Sequence, residues 1–200
     1  MCRTLRALFA GLALLLLGQA SVAQTQPQTE PTEVDVELVI AVDISYSMDL
    51  EELALQREGY AQAFRSSEIK NAIANGQLGR IAVTYFDWAD ARNQQVVVPW
   101  MLIDSPAAAD AFADKIAAQP IRRARRTSIS GAIDFGVAQI KVNPFRGSRQ
   151  VIDISGDGPN NSGTPVVSAR DAALAGGITI NGLPIVMKRG GWGDIDQLDM

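Results

Sequence analysis

Three oxygen-bearing side chains alternate in the stretch Asp43-Ile44-Ser45-Tyr46-Ser47, and two more, Thr127 and Asp157, stand in polar segments far along the chain. Alternating residues in one loop can turn their oxygens towards a single point. Hydroxyls are neutral ligands and two carboxylates supply only part of the charge a cation needs, so this donor set suits a hard divalent ion: magnesium first, with manganese or calcium as alternatives. Other chemistries are excluded by composition. The chain has no histidine, which removes Ser-His-Asp and Cys-His catalysis and imidazole-ligated zinc.

To converge, these residues must sit at the ends of neighbouring strands, and the pattern supplies such strands. Residues 36–42 form a mostly apolar run, as a strand buried on both faces requires, and it ends at Asp43. Asp49 with Glu52 three residues later resembles a capping box, opening a helix whose apolar stripe is Leu50, Leu53, Ala54, Tyr60, Ala61 and Phe64. A shorter helix over 67–75 ends at Gly76, which the pattern makes a left-handed cap. Residues 80–86 and 95–100 read as an antiparallel pair across a short polar link, with Pro99 placing the second strand at an edge. Ser105-Pro106 starts a helix to about Ala118, and Thr127-Ser-Ile-Ser130, after the basic loop 122–126, leads into another ending near Asn143. Residues 149–155 form the strand that delivers Asp157. Thr164-Pro165 opens a helix packed through Ala169, Ala172, Ala173 and Ala175, and residues 178–187 form a last strand with a bulge at Gly182.

Strands alternating with helices predict an α/β fold with a mostly parallel sheet, in which ligands gather beyond the carboxyl ends of the strands. The loops at Asp43 and Asp157 both lie at such ends.

The leader must be set aside first. Arg3 and Arg6 precede the apolar run 8–17, and Ser21-Val22-Ala23 follows, so residues 1–23 read as a signal peptide and the protein as periplasmic or secreted. The run is shorter than the roughly 20 residues a bilayer span needs, so no membrane span is expected after cleavage. Cleavage removes Cys2, the sole cysteine, and two arginines but no acid, taking the net charge from −4 to −6. Nucleic acid is a poor partner for that balance. Residues 24–33 form a polar, proline-containing flexible leader, and residues 34–200 form the domain.

The spacing Asp43-x-Ser45-x-Ser47, then Thr127, then Asp157-Gly158, resembles the metal-ion-dependent adhesion site of von Willebrand factor A domains and integrin inserted domains. With Val83-Thr-Tyr85, Val98-Pro-Trp100, the stretch 152–161 and Ile180-Asn-Gly-Leu-Pro184, it is similar to an uncharacterised, secreted bacterial branch of that superfamily. The resemblance implies a three-layer, Rossmann-like fold with one antiparallel edge strand. It implies that Ser45, Ser47 and Thr127 contact a cation directly or through water, that Asp43 and Asp157 hold coordinating waters, and that an acidic side chain of a partner protein completes the shell. That function is binding, not turnover. Relatives of this architecture continue with another strand and a closing helix, so the domain is expected to be truncated at its C-terminus, with the last strand left as an apolar edge.

Two other functions compete with this reading. A magnesium-dependent phosphoryl-transfer enzyme would place Asp-x-Asp at the first strand, but Ser45 occupies the second aspartate's position and no lysine stands near Asp157. A structural module could reuse the fold without metal, Asp43 then being a turn residue. Asp153, inside an apolar strand, needs a structural partner or supports the loops. Arg122 to Arg126 read as a solvated loop or as a steering patch for an acidic partner. Trp88, Trp100 and Trp192 read as packing residues.

Overall fold

The computed structural model describes residues 30–185. Its elements run β1 (Thr32–Asp43), α1 (Leu50–Arg65), α2 (Ser67–Ala74), β2 (Ile81–Trp88), β3 (Gln94–Ile103), α3 (Pro106–Ala117), α4 (Ile129–Lys141), β4 (Phe145–Gly156), α5 (Val166–Ala175) and β5 (Ile178–Pro184). The strands form one sheet in the order β3-β2-β1-β4-β5. β1 runs parallel to β2 and β4, β5 runs parallel to β4, and β3 alone is antiparallel, at the edge where Pro99 needs no ladder partner. The expected mixed sheet is therefore present.

Alternation along β1 divides the core into two. Ile40 and Val42, with Val36 and Leu38, face α1 and α3 and pack on Phe64, Phe112 and Ile116. Val39 and Ala41 face α4 and α5 with Ile133, Ile152 and Ala173. Because both faces are covered, the centre of the sheet is mostly apolar, as parallel sheets require, with Glu37 and Thr84 among its buried polar side chains. Three layers result.

The capping box forms as expected: Asp49 Oδ1 accepts from the backbone N–H of Glu51 and Glu52, and Glu52 accepts from Asp49 N–H (2.7 Å). The expected stripe of α1 is wrong in part. Leu50 is 58% exposed and Ala54 is exposed as well. The buried face carries Leu53, Gln56, Arg57, Ala61 and Phe64, which is the 3-4 spacing of one helix side running through two polar residues. In α5 only Ala169 and Ala173 are buried, while Ala172 and Ala175 point outward.

Gly76 is not a left-handed cap; Gly79, at φ +66°, takes that conformation instead. Gly76 serves a close approach, since a Cβ there would lie 2.4 Å from Asp35 Oδ2. That carboxylate accepts from Leu78 N–H and Arg80 N–H and ties the α2–β2 turn to the start of β1. Gly76→Ala is expected to destabilise the domain by about 1–3 kcal/mol, the range for overpacking, read as a lower denaturant midpoint. An unchanged midpoint would show that Asp35 moves aside without loss.

β5 pairs with β4 in unbroken register through Gly182, so the expected bulge there is absent. The strand ends at Pro184, and Met187 and Trp192 lie outside the described residues. Along β5 Ile178 is buried, Thr179 and Asn181 are exposed, and Leu183 is 53% exposed. Among the described residues, no helix is long and apolar enough to cross a membrane.

Candidate functional site

β1 leaves the middle of the sheet at Asp43 and β4 leaves the adjacent position at Gly156, so their following loops meet above the carboxyl edge. Asp43 is fully buried there. Its Oδ1 accepts from Ser45 N–H at 2.7 Å, folding the loop back over its own strand end. Ser47 Oγ donates to Asp157 Oδ1 at 2.6 Å, and Ser45 and Ser47 hydroxyls lie 2.8 Å apart. Since Ser47 gives its one proton to Asp157, Ser45 is the donor in the second contact. Four of the five expected site residues thus form one hydrogen-bonded chain across two loops.

Thr127 joins them from a third segment. A Cβ placed on Gly158 would lie 4.0 Å from Thr127 Oγ1, so this hydroxyl stands over the residue next to Asp157. As expected, it stands at the entry to a helix: α4 begins at Ile129, and Ser128 caps it by accepting from Gly131 N–H at 3.1 Å. The cap therefore makes no demand on the Thr127 hydroxyl. Arg126, at φ +70°, is the non-glycine residue in the left-handed region among the described residues. Such a conformation costs of order 1 kcal/mol and persists only where surroundings hold it.

Those surroundings are residues whose role the sequence reading missed. Asn161 Oδ1 accepts from Thr127 N–H (2.9 Å) while Asn161 N–H donates to Thr127 O (2.8 Å), and Asn160 Oδ1 accepts from Ser130 N–H. Both asparagines splice the Asp157 loop to the Thr127 loop. Arg57, 5% exposed, lies against Asp87 with an Nη2–Oδ2 distance of 3.1 Å. Its Nη1 donates to Gln119 O and Pro120 O, anchoring the start of the loop that delivers Thr127. Burial pushes the Asp87 carboxyl above its ordinary value and the Arg57 guanidinium opposes the shift. Gln56 Nε2 donates to the buried Ser155 Oγ (2.8 Å), just before the Asp157 loop. The signal available for Gln56 and Arg57 was their position three and four residues after Leu53 and eight and seven before Phe64, on one side of the helix.

Ala124 N–H donates to Ile44 O at 2.9 Å, so the basic loop adds to the end of β1. Arg123 donates to Tyr46 O and stands 5.0 Å from the centre of the Tyr46 ring, fixing one wall of the site. Asp153 has the structural partner expected of it, accepting from Asn181 Nδ2 at 2.7 Å. Trp88 is buried and Trp100 packs on Phe145, as packing residues should.

Asp43 Oδ2 is buried without a hydrogen-bond partner among the described residues. Gly156 leaves room for it, since a Cβ there would lie 3.0 Å away. Burial above all, with a smaller contribution from the Asp157 charge, pushes the Asp43 carboxyl up to about 6, against the hydrogen bond from Ser45 N–H. Among the described residues no three His, Cys, Asp or Glu side chains cluster as a metal site. A cation here would rely on hydroxyls and two carboxylates, and these residues fit one.

The sequence profile of the family described as Protein of unknown function (DUF1194) matches residues 33–198. The chain belongs to that family. No curated protein is similar enough to the DUF1194 chain to count as a match. Among solved structures, proximal thread matrix protein 1 from the mussel byssus, described with a zinc-occupied MIDAS motif, superposes with a TM-score of 0.58 at 16% identity over 80% of this chain. The DUF1194 chain spans 40% of that protein's length. An aerotolerance-related membrane protein from Bacteroides fragilis gives 0.52 at 20% identity, covering 78% of this chain and 74% of its own. The pilus adhesin SpaC from Lactobacillus rhamnosus GG gives 0.54 at 12%, covering 80% and 25%. At these identities the likeness is one of fold, and the fold is the Rossmann-like α/β architecture of von Willebrand factor A domains.

Proposed function

We propose that this domain is a divalent-cation-dependent protein-binding module that acts outside the cytoplasm. Asp43, Ser45, Ser47, Thr127 and Asp157 would hold the cation, magnesium in the first instance. One observation carries the reading: hydroxyls and carboxylates from two strand ends converge in a single chain from Ser45 through Ser47 to Asp157, beside a buried carboxylate oxygen that lacks a donor. When bound, the cation supplies uncompensated positive charge and an open coordination position. The residues of this chain do the rest. Ser45, Ser47 and Thr127 offer neutral oxygens, Asp43 and Asp157 orient coordinating water, and Arg123 braces Tyr46 at the rim.

An acidic side chain of a partner protein would complete the coordination shell. A role in protein interaction, though not the acidic ligand itself, is supported by the pilus adhesin and byssus matrix proteins that share this fold. The signal-peptide reading of residues 1–23 supports a periplasmic or secreted location. Binding without turnover is the economical activity, because among the described residues the groups at the site that could act as base or nucleophile are the carboxylates and hydroxyls assigned to the cation.

The test is a titration of residues 24–200 with magnesium, manganese and calcium while thermal unfolding is followed. A cation that binds the native state alone stabilises it by about 2.7 kcal/mol at a hundredfold excess over Kd, which for a domain of this size raises Tm by roughly 5–10 °C. No shift with any of the three ions would reduce the constellation to an inherited shape and favour the metal-free module.

A further inference from the structure

Beside the proposed cation site the domain holds an apolar cavity of about 300 Å³. Gly156 and Gly158, which flank Asp157, belong to its lining, with Ile133 of α4, Val166 of α5 and Ile180 of β5 among the walls. Trp88 lines it too, 1% exposed and with an indole N–H that has no hydrogen-bond partner among the described residues. Glycines stand where side chains would close the space. A Cβ on Gly182 would meet nothing within 4 Å, and one on Gly158 nothing nearer than Thr127 Oγ1 at 4.0 Å. An apolar cavity of about 150 Å³ already takes benzene, so this one has room for any aliphatic or aromatic side chain.

We infer that this cavity is the second half of the partner-binding site, receiving an apolar side chain from the same polypeptide segment whose acid meets the cation, within two residues of that acid. The inference rests on the cation reading given above. Two features select this occupant. The cavity and the cation site share the Gly156-Asp157-Gly158 turn, so a segment laid across that turn reaches both. A lone carboxylate also discriminates poorly, since every acidic surface offers one, whereas burying an aliphatic side chain beside it raises affinity tenfold or more. Specificity then comes from the neighbour and metal dependence from the acid.

The test uses two capped pentapeptides in saturating magnesium, one with aspartate flanked by glycines and one with aspartate flanked by leucines. Calorimetry gives affinity. The ¹⁵N-indole resonance of Trp88, assigned with Trp88→Phe, reports entry into the cavity. The leucine peptide is expected to bind at least tenfold more tightly, to move the Trp88 resonance, and to lose both effects in chelator. Gly182→Leu fills the space from a strand position that lies outside the left-handed region. It is expected to erase the tenfold preference while the magnesium-induced thermal shift remains, and the smaller Gly182→Val should reduce the preference part-way.

Equal affinities for the two peptides, or a leucine preference that survives Gly182→Leu, would overturn the cavity assignment while leaving the cation site standing. A leucine preference unchanged by chelator would also overturn it, because the two halves would then act separately. Dissociation of a self-associated wild-type protein by Gly182→Leu would assign the cavity to a second copy of this chain and end the proposal. Loss of the thermal shift in the unmodified protein would instead remove the reading beneath it.

Discussion

Asp87→Ala is expected to lower unfolding free energy by about 3–5 kcal/mol, the range for removing one member of a buried ion pair. The cause is the Arg57 guanidinium, which stays 5% exposed with no carboxylate beside it. The pair itself need not be strongly stabilising, because burial already pushes Asp87 up against the favourable charge of Arg57. The double replacement Arg57→Met with Asp87→Leu should therefore recover most of the loss, leaving about 1–2 kcal/mol for the two hydrogen bonds from Arg57 to Gln119 O and Pro120 O. Those bonds anchor the Thr127 loop, so the double variant is expected to bind magnesium more weakly even where its stability is near wild type. Denaturant curves of the three proteins check the ordering. A loss below 1 kcal/mol in Asp87→Ala would mean the guanidinium escapes to solvent.

Asp43→Asn is expected to stabilise the cation-free protein at pH 7 while abolishing the gain from magnesium. The Asp43 carboxyl titrates near 3.8 unfolded and near 6 folded. Between those values the folded state keeps a proton that the unfolded state has released, so stability rises as pH falls from 6 towards 4. Above pH 6 the cost of the ionised carboxylate is fully present, about 3 kcal/mol at 1.36 kcal/mol per pH decade. Asparagine escapes this cost and keeps an oxygen for Ser45 N–H, but its amide must enter the place of an oxygen that has no partner. That unpaired group returns 1–2 kcal/mol of the gain, leaving about 1–2 kcal/mol at pH 7 and turning it into a loss of about 1 kcal/mol at pH 4, where the carboxylate cost has almost gone. Bound cation should flatten the wild-type pH dependence, because it stabilises the ionised form that burial opposes. Thermal scans of both proteins from pH 4 to 7.5, with magnesium and with chelator, decide it. A destabilised variant at pH 7 in chelator would place Asp43 in a hydrogen-bonded structural role.

The strands and the position of the candidate site were legible because both depend on local pattern. An apolar run that stops at an aspartate has few alternatives to a buried strand with a polar end, and β1 and β4 end where that pattern places them. The errors have a common origin in contacts that no local pattern encodes. Leu50 and Ala54 were placed in the core of α1 for being apolar, whereas the helix is turned by Gln56 and Arg57 reaching Ser155 and Asp87, 99 and 30 residues away. Gly76 looked like a helix stop because of its residue type, but its role is set by Asp35. The asparagines at 160 and 161 satisfy the Thr127 loop through pairings that span 30 and 34 residues. A turn reading sees only their own backbone.

The hydrogen bond between Ser47 and Asp157 joins residues 110 positions apart. It can form only after β4 has laid itself along β1, a parallel pairing whose loop-closure entropy opposes it until the sheet is nearly complete. A cation that needs both loops therefore has nothing to hold during most of the folding reaction. Such an ion acts on the far side of the folding barrier, leaving the refolding rate almost untouched and slowing the escape of the native state. With the proposed cation in place, the site would then also serve as a latch whose strength follows the ion content of its surroundings.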